Sequence, residues 1–401
     1  MITKKIFSPI TIFNTVFSAV CFCSMFNLQD GHVVLYTGVE FSVYLIVLTG
    51  VLFFDLGTLI KLPVKNKKDA MINMKLYYIF LVLAIIGMLI AAGTSIIYLM
   101  QGNSIKNIYR MTLSAAFVEN DFSLTAAQSR FLTFIGNPMY YLMVPVLLLQ
   151  YFREKKKLYL LFVLFLVSMK VLSHFGRVEF MYVFLYVIVL MSDKTNNQCR
   201  KRPSVLNIKN VLLITVMIAG LVGVFAVRDT KIVSTIIEYI GKPLLYLQYL
   251  LEDTLKEYGY TYGFFSTLGI GQFVFGIIEL FGIAPPELFE IAQTHQLTVA
   301  SAHTLADGTL YNAFSTLFYY FFTDFGWIGI AVFSFIYGCI ANRFFANVKN
   351  KRSDRDTVIW LLLLMTMTFS FVRWQLSRSE MAMSVVYAYL LFSGKSKVHH
   401  S

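Results

Sequence analysis

The sequence predicts an all-α polytopic membrane protein, and three observations lead to this fold class. The 401 residues are 57% hydrophobic and 14% charged, whereas soluble domains carry about 25% charged residues. Apolar runs of about 20 residues recur from end to end, and each is long enough to cross roughly 30 Å of hydrocarbon. The net charge of +12 is gathered in short basic clusters. Such clusters orient membrane proteins, so the charge requires no nucleic acid as a partner.

These basic clusters divide the chain into membrane-crossing segments. The number of predicted crossings between successive clusters is always even, as expected if every cluster is cytoplasmic. We therefore expect a single integral membrane domain, residues 1–401, of about ten transmembrane helices with both termini in the cytoplasm. The predicted helices span residues 8–28, 39–60, 76–99, 131–151, 158–173, 178–192, 210–227, 325–345, 357–373 and 378–393.

Two predicted extracytoplasmic segments are long enough to carry function, residues 100–130 and, above all, the large loop of residues 228–324. The large loop contains an apolar stretch, residues 258–283, that either crosses the membrane or lies in its interface. Glu279 and the glycines of this stretch favour an interfacial or re-entrant segment. If the stretch crossed fully, every later segment would be inverted.

Four arginines lie at the ends of apolar segments on the side opposite the basic clusters: Arg177, Arg228, Arg373 and Arg378. Arginine gains nothing from the positive-inside bias there and is costly to hold near hydrocarbon. The hairpins 158–192 and 357–393 are also too short for two full crossings and a turn. We therefore expect Arg177 and Arg373 to line a recess below the outer surface.

A recess with several guanidinium groups is suited to an anion such as a lipid pyrophosphate. Arginine stays charged when it is desolvated, and its planar fork matches phosphate oxygens bidentately. The alternative is that each arginine reaches the lipid headgroups or pairs with a neighbouring carboxylate. The candidate neighbours are Glu179 for Arg177, Asp229 for Arg228 and Glu380 for Arg378.

The end of the large loop, residues 301–329, carries a tyrosine-asparagine pair, a small hydroxyl run, aromatic residues and an Asp-Phe-Gly segment that lead into an apolar helix. A serine, a glycine and an arginine also precede a short helix, and a further arginine lies late in the chain. The residues of these motifs are Tyr311, Asn312, Phe314, Thr316, Asp324, Gly326, Gly329, Ser173, Gly176, Arg177 and Arg373. Together they resemble the O-antigen polymerase family, the Wzy-type oligosaccharide repeat-unit polymerases.

This resemblance implies a glycosyltransferase with a fold similar to the GT-C type, located in a bacterial inner membrane. Its expected substrate is an undecaprenyl-pyrophosphate-linked oligosaccharide within membrane lipid, and a chain-length regulator protein is an expected partner. The growing glycan would pass from its carrier to the non-reducing end of a new lipid-linked repeat unit at the periplasmic face. No cofactor and no metal are expected, because arginines can stabilise the pyrophosphate leaving group.

The transfer also needs a base for the acceptor hydroxyl, and the outer side offers His303, Asp307 and Asp324. Further candidates there are Glu179, Asp229 and Asp253. If their stretch is helical, His303 and Asp307 share a face and the carboxylate orients the imidazole. A solvated polar loop is the alternative for this pair, and capping of a helix starting at Gly326 is the alternative for Asp324.

Tyr311 and Asn312 are candidates for glycan binding, by sugar stacking and by hydrogen bonds to sugar hydroxyls. For Tyr311 the alternative is an interface anchor, and for Asn312 a role in holding the loop backbone.

Two other functions remain open at this level. A ligase that attaches finished glycan to another acceptor would share the donor and the arginines, and a flippase for the same lipid would belong to a different class.

A nucleotide-sugar donor is disfavoured. The D-x-D motif, Asp354 to Asp356, lies in a short basic loop without the βαβ units of a nucleotide-binding domain.

Overall fold

The structure, a computed structural model, describes most of the chain, and the predicted helix 210–227 lies outside the described residues. The described residues are 7–29, 32–35, 38–62, 71–103, 124–174, 176, 178–192, 232–301, 303–305, 308, 310–311, 314–350 and 353–394. Within them the chain is all-α except for two short antiparallel hairpins.

The first half contains seven helices and one hairpin within the described residues. A helix lies at each predicted position, but the first one ends at Ser24 because a strand occupies the end of the predicted span 8–28. The elements are α1 Pro9–Ser24, β1 Phe26–Gln29, β2 His32–Leu35, α2 Phe41–Leu59, α3 Met74–Met100, α4 Ala126–Phe131, α5 Asn137–Glu154, α6 Lys157–His174 and α7 Val178–Ser192. A π-helical turn, Leu132–Gly136, joins α4 to α5 without a break.

The second half contains seven helices and one hairpin within the described residues, and its last three helices overlap the predicted helices 325–345, 357–373 and 378–393 with shifted ends. The elements are α8 Ile232–Tyr249, a π-helical turn Leu250–Thr254, α9 Leu255–Tyr258, α10 Leu268–Glu279, α11 Glu287–Ala300, β3 His303–Thr304, β4 Leu310–Tyr311, α12 Thr316–Lys349, α13 Asp354–Thr368, a 3₁₀ turn Gln375–Ser377 and α14 Ser379–Leu391.

Among the described residues, five helices are long and apolar enough to cross a membrane. They are α2, α3, α4 joined to α5, α6 and α12. The apolar window of α4–α5 is 78% buried within the protein, against 28% to 44% for the other four, so α4–α5 is the most buried of these five. Four further apolar helices of the described residues are shorter: α1, α7, α10 and α14. The chain is thus a helical protein of the membrane-spanning type.

Segments that carry basic clusters contact each other at helix ends. Arg153, from one basic cluster, forms an ion pair with Asp354, from another. The N–H of Asn73 donates to the carbonyl of Leu391 at 2.8 Å, which joins two further segments that the charge pattern predicts to be cytoplasmic. The first aspartate of the D-x-D motif is therefore engaged in a contact between helix ends.

Glycines let α2 and α12 pack closely. A Cβ atom on Gly57 would overlap the carbonyl oxygen of Phe335, and one on Gly338 would overlap the carbonyl oxygen of Phe54. Neither overlap is sterically allowed, so both positions require the absence of a side chain. Small residues at such contacts are the usual means by which membrane helices approach each other.

Helix α12 begins earlier than the sequence predicts and is broken at the predicted start. Phe325 and Gly326 have non-helical dihedral angles, and Gly326 has a φ of 59° with a ψ of −139°. That conformation is open to glycine and costly for other residues. The break separates a segment of α12 buried at Thr316–Asp324 from the longer apolar segment that follows.

Candidate functional site

The turn between α13 and α14, residues 369–378, carries two of the four predicted arginines. Its backbone is tied to the start of α12, because the N–H groups of Ser315 and Leu317 donate to the carbonyls of Val372 and Ser370 at 2.9 and 2.8 Å. The buried indole of Trp374 donates to the carbonyl of Ser266 at 2.8 Å. The turn is therefore held in place from two sides.

Helix α10, from the apolar stretch 258–283, packs directly on this turn. A Cβ atom on Gly269 would overlap the carbonyl oxygen of Leu376, and Ser379 donates a hydrogen bond to Gln272. The helix has 12 residues, about 18 Å at 1.5 Å per residue, which is short of the roughly 30 Å of hydrocarbon. It is thus too short to cross a membrane by itself.

Five charged side chains lie near the 369–378 turn. They come from α6, from α7, from the turn itself and from the start of α14. We call Lys170, Glu179, Arg373, Arg378 and Glu380 the polar cluster. Each interacts electrostatically with at least two others across these elements. Three cations face two carboxylates, so the cluster carries one surplus positive charge.

Glu179 is almost completely buried and accepts hydrogen bonds from two tyrosines of α5. It is 3% exposed, and it accepts hydrogen bonds from the hydroxyls of Tyr140 at 2.9 Å and Tyr141 at 3.3 Å. Lys170 is 8% exposed, and its ammonium donates to Oδ1 of Asn137 at 2.8 Å. Buried charges need such partners because an isolated charge is very costly away from water.

The two arginines of the turn differ in their partners. Arg378 pairs with Glu380, with Nη2 and Oε1 3.0 Å apart, so the neighbour pairing considered for this residue is present. Arg373 is half-buried, and no carboxylate of the described residues lies within 4.0 Å of its guanidinium. The surplus positive charge of the polar cluster therefore resides on Arg373.

The residue opposite Arg373 has a strained backbone. Thr316 forms a parallel β-bridge with Arg373 and has a φ of 61°. A β-branched residue rarely adopts this left-handed conformation, and such outliers cluster at functional sites. Thr316 is also one of the residues that carry the family resemblance, and the strain lies beside the arginine without a carboxylate.

Hydrogen-bond donors surround Asp324, one of the predicted bases. Its side chain is fully buried and accepts hydrogen bonds from Thr261 Oγ1 and from the N–H groups of Gly263, Phe265 and Ser266, between 2.5 and 3.1 Å. It does not cap a helix starting at Gly326. Four donors occupy its oxygens, so it holds the chain between α9 and α10.

His303 lies in β3 and not in a helix, which is the condition that a face shared with Asp307 required. Its Nε2 donates to the carbonyl of Thr298 at 3.0 Å and lies 2.6 Å from Oγ of Ser301. Nδ1 therefore accepts from the hydroxyl of Tyr249, 3.0 Å away. Both ring nitrogens are engaged in holding the loop, which makes His303 a poor candidate for the base.

Tyr311 lies opposite His303 in the β3–β4 hairpin. Its ring is half-exposed and packs against Tyr246 and Phe314, with centroids 5.7 and 5.8 Å apart. Tyr246 in turn interacts electrostatically with Arg373. The candidate glycan-binding tyrosine is therefore linked to the polar cluster through one aromatic neighbour.

The remaining predicted site residues, Arg177, Arg228, Asp307 and Asn312, lie outside the described residues. Gly176 and Val178, on either side of Arg177, are described. Among the described residues, no group of three or more His, Cys, Asp or Glu side chains is arranged to hold a metal ion.

The sequence reasoning missed Lys170, Tyr140, Tyr141 and His174. Lys170 had a signal, because a lone lysine within an apolar helix is costly and marks a functional or paired position. The sequence carries no such signal for the two tyrosines or for His174. They lie near Glu179 only because α5, α6 and α7 pack together.

Comparisons of this chain with protein-family models, with curated proteins and with solved structures found no match.

Proposed function

We propose that this protein polymerises lipid-linked oligosaccharide repeat units at the outer face of a bacterial inner membrane. In this reaction the growing glycan moves from undecaprenyl pyrophosphate to the non-reducing end of a new lipid-linked repeat unit. The observation that carries the proposal is the guanidinium of Arg373, a half-buried cation without a carboxylate partner among the described residues, in a turn between apolar helices.

The chemistry of glycan transfer fits such a site. Attack of the acceptor hydroxyl on the anomeric carbon releases a lipid pyrophosphate, and the negative charge on its oxygens increases as the bond breaks. Preorganised cations near that position lower the barrier because they stabilise charge that develops in the transition state. An arginine that is not neutralised by a carboxylate is available for this task, and its fork matches phosphate geometry.

The location also fits a substrate with a membrane-embedded carrier. The turn that holds Arg373 follows α13 and contacts α10, whose outward face exposes the apolar side chains of Ile270, Val274 and Ile277. A pyrophosphate attached to a long lipid reaches such a site from within the membrane, whereas a soluble nucleotide sugar would need a water-facing binding domain.

Deletion of the gene, followed by gel electrophoresis of the surface glycan, tests the proposal. A polymerase mutant caps its lipid with one repeat unit only, and a plasmid copy of the gene restores the ladder of longer chains. Loss of all surface glycan would instead favour a ligase or a flippase. An unchanged ladder would refute the proposed function.

Arg153→Ala is the matched control for arginine substitutions. Arg153 pairs with Asp354 at the opposite end of the bundle, far from the polar cluster along the helices. The complemented strain with this variant should therefore keep the full ladder of chain lengths.

A further inference from the structure

One side of α10 is entirely apolar although it is exposed. Ile270, Val274 and Ile277 follow each other at spacings of four and three residues, so they share one face of the helix. Each of them is between 42% and 50% exposed. The turn after α10 exposes three more large apolar side chains, Leu280, Phe281 and Ile283. We call these six residues the apolar face. A helix that faces water would place polar side chains there.

The two polar side chains of α10 lie on the other side of the helix. Gln272 and Glu279 are each two residues away from a member of the apolar face, about 200° around a helix of 3.6 residues per turn. Gln272 accepts a hydrogen bond from the hydroxyl of Ser379, and Glu279 is exposed. One side of α10 therefore suits an apolar medium, and the other suits protein and water. Helices that lie in a membrane interface have this pattern.

Exposed aromatic side chains lie beside the break in α12, just before α10 begins. The N–H of Tyr262 donates to the carbonyl of Asp324 at 3.2 Å, which holds Tyr260 and Tyr262 against the break. Trp327 directly follows the break, and all three aromatic side chains are exposed. Tyrosine and tryptophan are enriched at the boundary between hydrocarbon and water. The start of α10 is therefore next to a set of residues typical of that boundary.

The lengths of α13 and α14 give the depth of the 369–378 turn. These helices have 15 and 13 residues, about 20 to 23 Å at 1.5 Å per residue. When their far ends lie at the cytoplasmic boundary, the turn lies about 7 to 10 Å inside the outer boundary of roughly 30 Å of hydrocarbon. An interfacial helix buries its apolar face to about 5 to 10 Å. The two depths agree, although one comes from helix length and the other from the apolar face.

Close packing makes α10 and this turn a single unit. A side chain on Gly269 would overlap the backbone of the turn, and α10 is also held from the side of α5. There the rings of Phe273 and Phe134 have centroids 5.7 Å apart, and a Cβ atom on Gly276 would lie 3.4 Å from the ring of Phe134. A change in the depth of α10 is therefore passed on to the turn and to Arg373.

We propose that α10 is an interfacial helix whose apolar face inserts between the lipid chains of the outer leaflet, and that this insertion fixes Arg373 at the boundary between headgroups and lipid chains. The role of Arg373 in this inference rests on the proposed function, whereas the insertion of α10 does not. At this depth a lipid-borne pyrophosphate reaches Arg373 by diffusion within the leaflet. The bilayer is thus the partner that the apolar face recognises.

Spin labels on single cysteines test the insertion of α10 in the full-length protein, reconstituted in phosphatidylglycerol and phosphatidylethanolamine vesicles. Each label is attached to a protein in which serine replaces the four natural cysteines, Cys21, Cys23, Cys199 and Cys339. Power saturation compares how well membrane-soluble oxygen and a water-soluble nickel chelate reach the label. Labels on Val274→Cys and Ile277→Cys should be relaxed mainly by oxygen, at a depth of about 5 to 10 Å.

Two labels outside the apolar face are the matched controls. Glu279→Cys lies on the opposite side of α10. Leu297→Cys replaces an exposed leucine of α11, whose other exposed residues are Glu287 and Glu290. Both labels should be relaxed mainly by the nickel chelate.

Three outcomes of the labelling would overturn the proposal. Relaxation of the Val274→Cys and Ile277→Cys labels mainly by nickel would mean that the apolar face lies in water. Poor access of both reagents would mean that another protein, or a second copy of this chain, covers it. A depth near the middle of the bilayer, about 15 Å, would mean a crossing or deeply re-entrant segment instead of an interfacial helix.

Polymerisation in two media tests the link between α10 and Arg373. The triple variant Ile270→Gln/Val274→Gln/Ile277→Gln makes the helix face polar without adding charge. In vesicles with lipid-linked repeat units, its initial rate should be about tenfold or more below that of the unmodified protein. In detergent micelles, with repeat units on a short prenyl chain, the two rates should be similar because no leaflet has to be matched.

The two media also separate this inference from the proposed function. Equal loss of rate in vesicles and in micelles would overturn the link between α10 and Arg373, since it would reflect damage that does not depend on the bilayer. An unmodified protein that makes no polymer in either medium contradicts the proposed function, and the label depths still decide whether α10 is inserted.

Discussion

Replacement of Arg373 is the most direct test of how this protein would hold a pyrophosphate. A bidentate guanidinium makes two charge-assisted hydrogen bonds, each worth about 1.5 to 3 kcal/mol. Loss of both removes about 3 to 6 kcal/mol of transition-state stabilisation. At about 1.36 kcal/mol per tenfold change, Arg373→Ala should therefore slow polymerisation by about 10²- to 10⁴-fold.

We also expect this variant to fold. No carboxylate of the described residues depends on Arg373 for an ion pair, so its removal leaves no buried charge unpaired. Arg378→Ala differs, because it leaves Glu380, whose side chain is 15% exposed, without its partner. The unfolding midpoint in detergent should stay nearly constant for Arg373→Ala and fall for Arg378→Ala.

A lysine at position 373 separates charge from geometry. Arg373→Lys keeps the positive charge but loses the planar fork, so it should recover only part of the lost rate. The assay is a time course of chain growth from purified lipid-linked repeats, read on a gel and fitted for the initial rate. An alanine variant that grows chains at the unmodified rate would remove Arg373 from the site.

Three further predictions concern the fold that holds the site. Gly57→Ala should destabilise the protein by about 1 to 3 kcal/mol, because the added methyl forces α2 away from α12. Asp324→Ala should cost at least about 3 kcal/mol, because it strips four buried donors of their acceptor. Burial lowers the pKa of His295 below its usual value. Below about pH 6.5 the unfolded chain binds a proton at this residue that the folded protein does not bind. The free energy of unfolding should therefore fall as the pH drops below that value.

Each of these predictions has a control and an opposing outcome. A methyl group on Gly93 would meet no neighbouring atom within 4 Å, so Gly93→Ala should be neutral or stabilising by about 0.5 to 1 kcal/mol. Asp324→Asn should recover part of the stability, since one oxygen remains to accept. His295→Gln should remove part of the loss of stability between about pH 7.5 and pH 5. Equal unfolding midpoints for Gly57→Ala and Gly93→Ala would contradict the close contact of α2 with α12. An unchanged stability of Asp324→Ala would contradict the role of its four hydrogen bonds. An unchanged pH dependence of stability in His295→Gln would contradict the role of the buried imidazole.

The histidine prediction follows from its two hydrogen bonds. Nε2 of His295 donates to the carbonyl of Gly259 at 3.0 Å, so Nδ1 accepts from the hydroxyl of Tyr319 at 2.7 Å. A second proton on Nδ1 would break the contact with Tyr319 unless that hydroxyl turned away. The neutral ring is thus the form that the folded protein prefers, and its side chain has no solvent contact to offset the charge.

The helical architecture follows from the amino-acid sequence alone, because the signals for it are local. A run of apolar residues, its length and the charges at its ends depend on neighbours along the chain, so predicted helices such as 178–192 agree with the observed bounds, Val178–Ser192. Arg378 and Glu380 are two residues apart, and their pairing is likewise among the alternatives that the sequence offers.

The surroundings of each charged side chain depend instead on tertiary packing. Asp324 reaches donors about 60 positions away, and Glu179 reaches tyrosines about 40 positions away. No pattern along the chain encodes those separations, because they arise from the packing of whole helices. Burial and hydrogen bonding then set the role of each carboxylate, which is why Asp324 holds a loop while Glu179 lies beside the imidazole of His174.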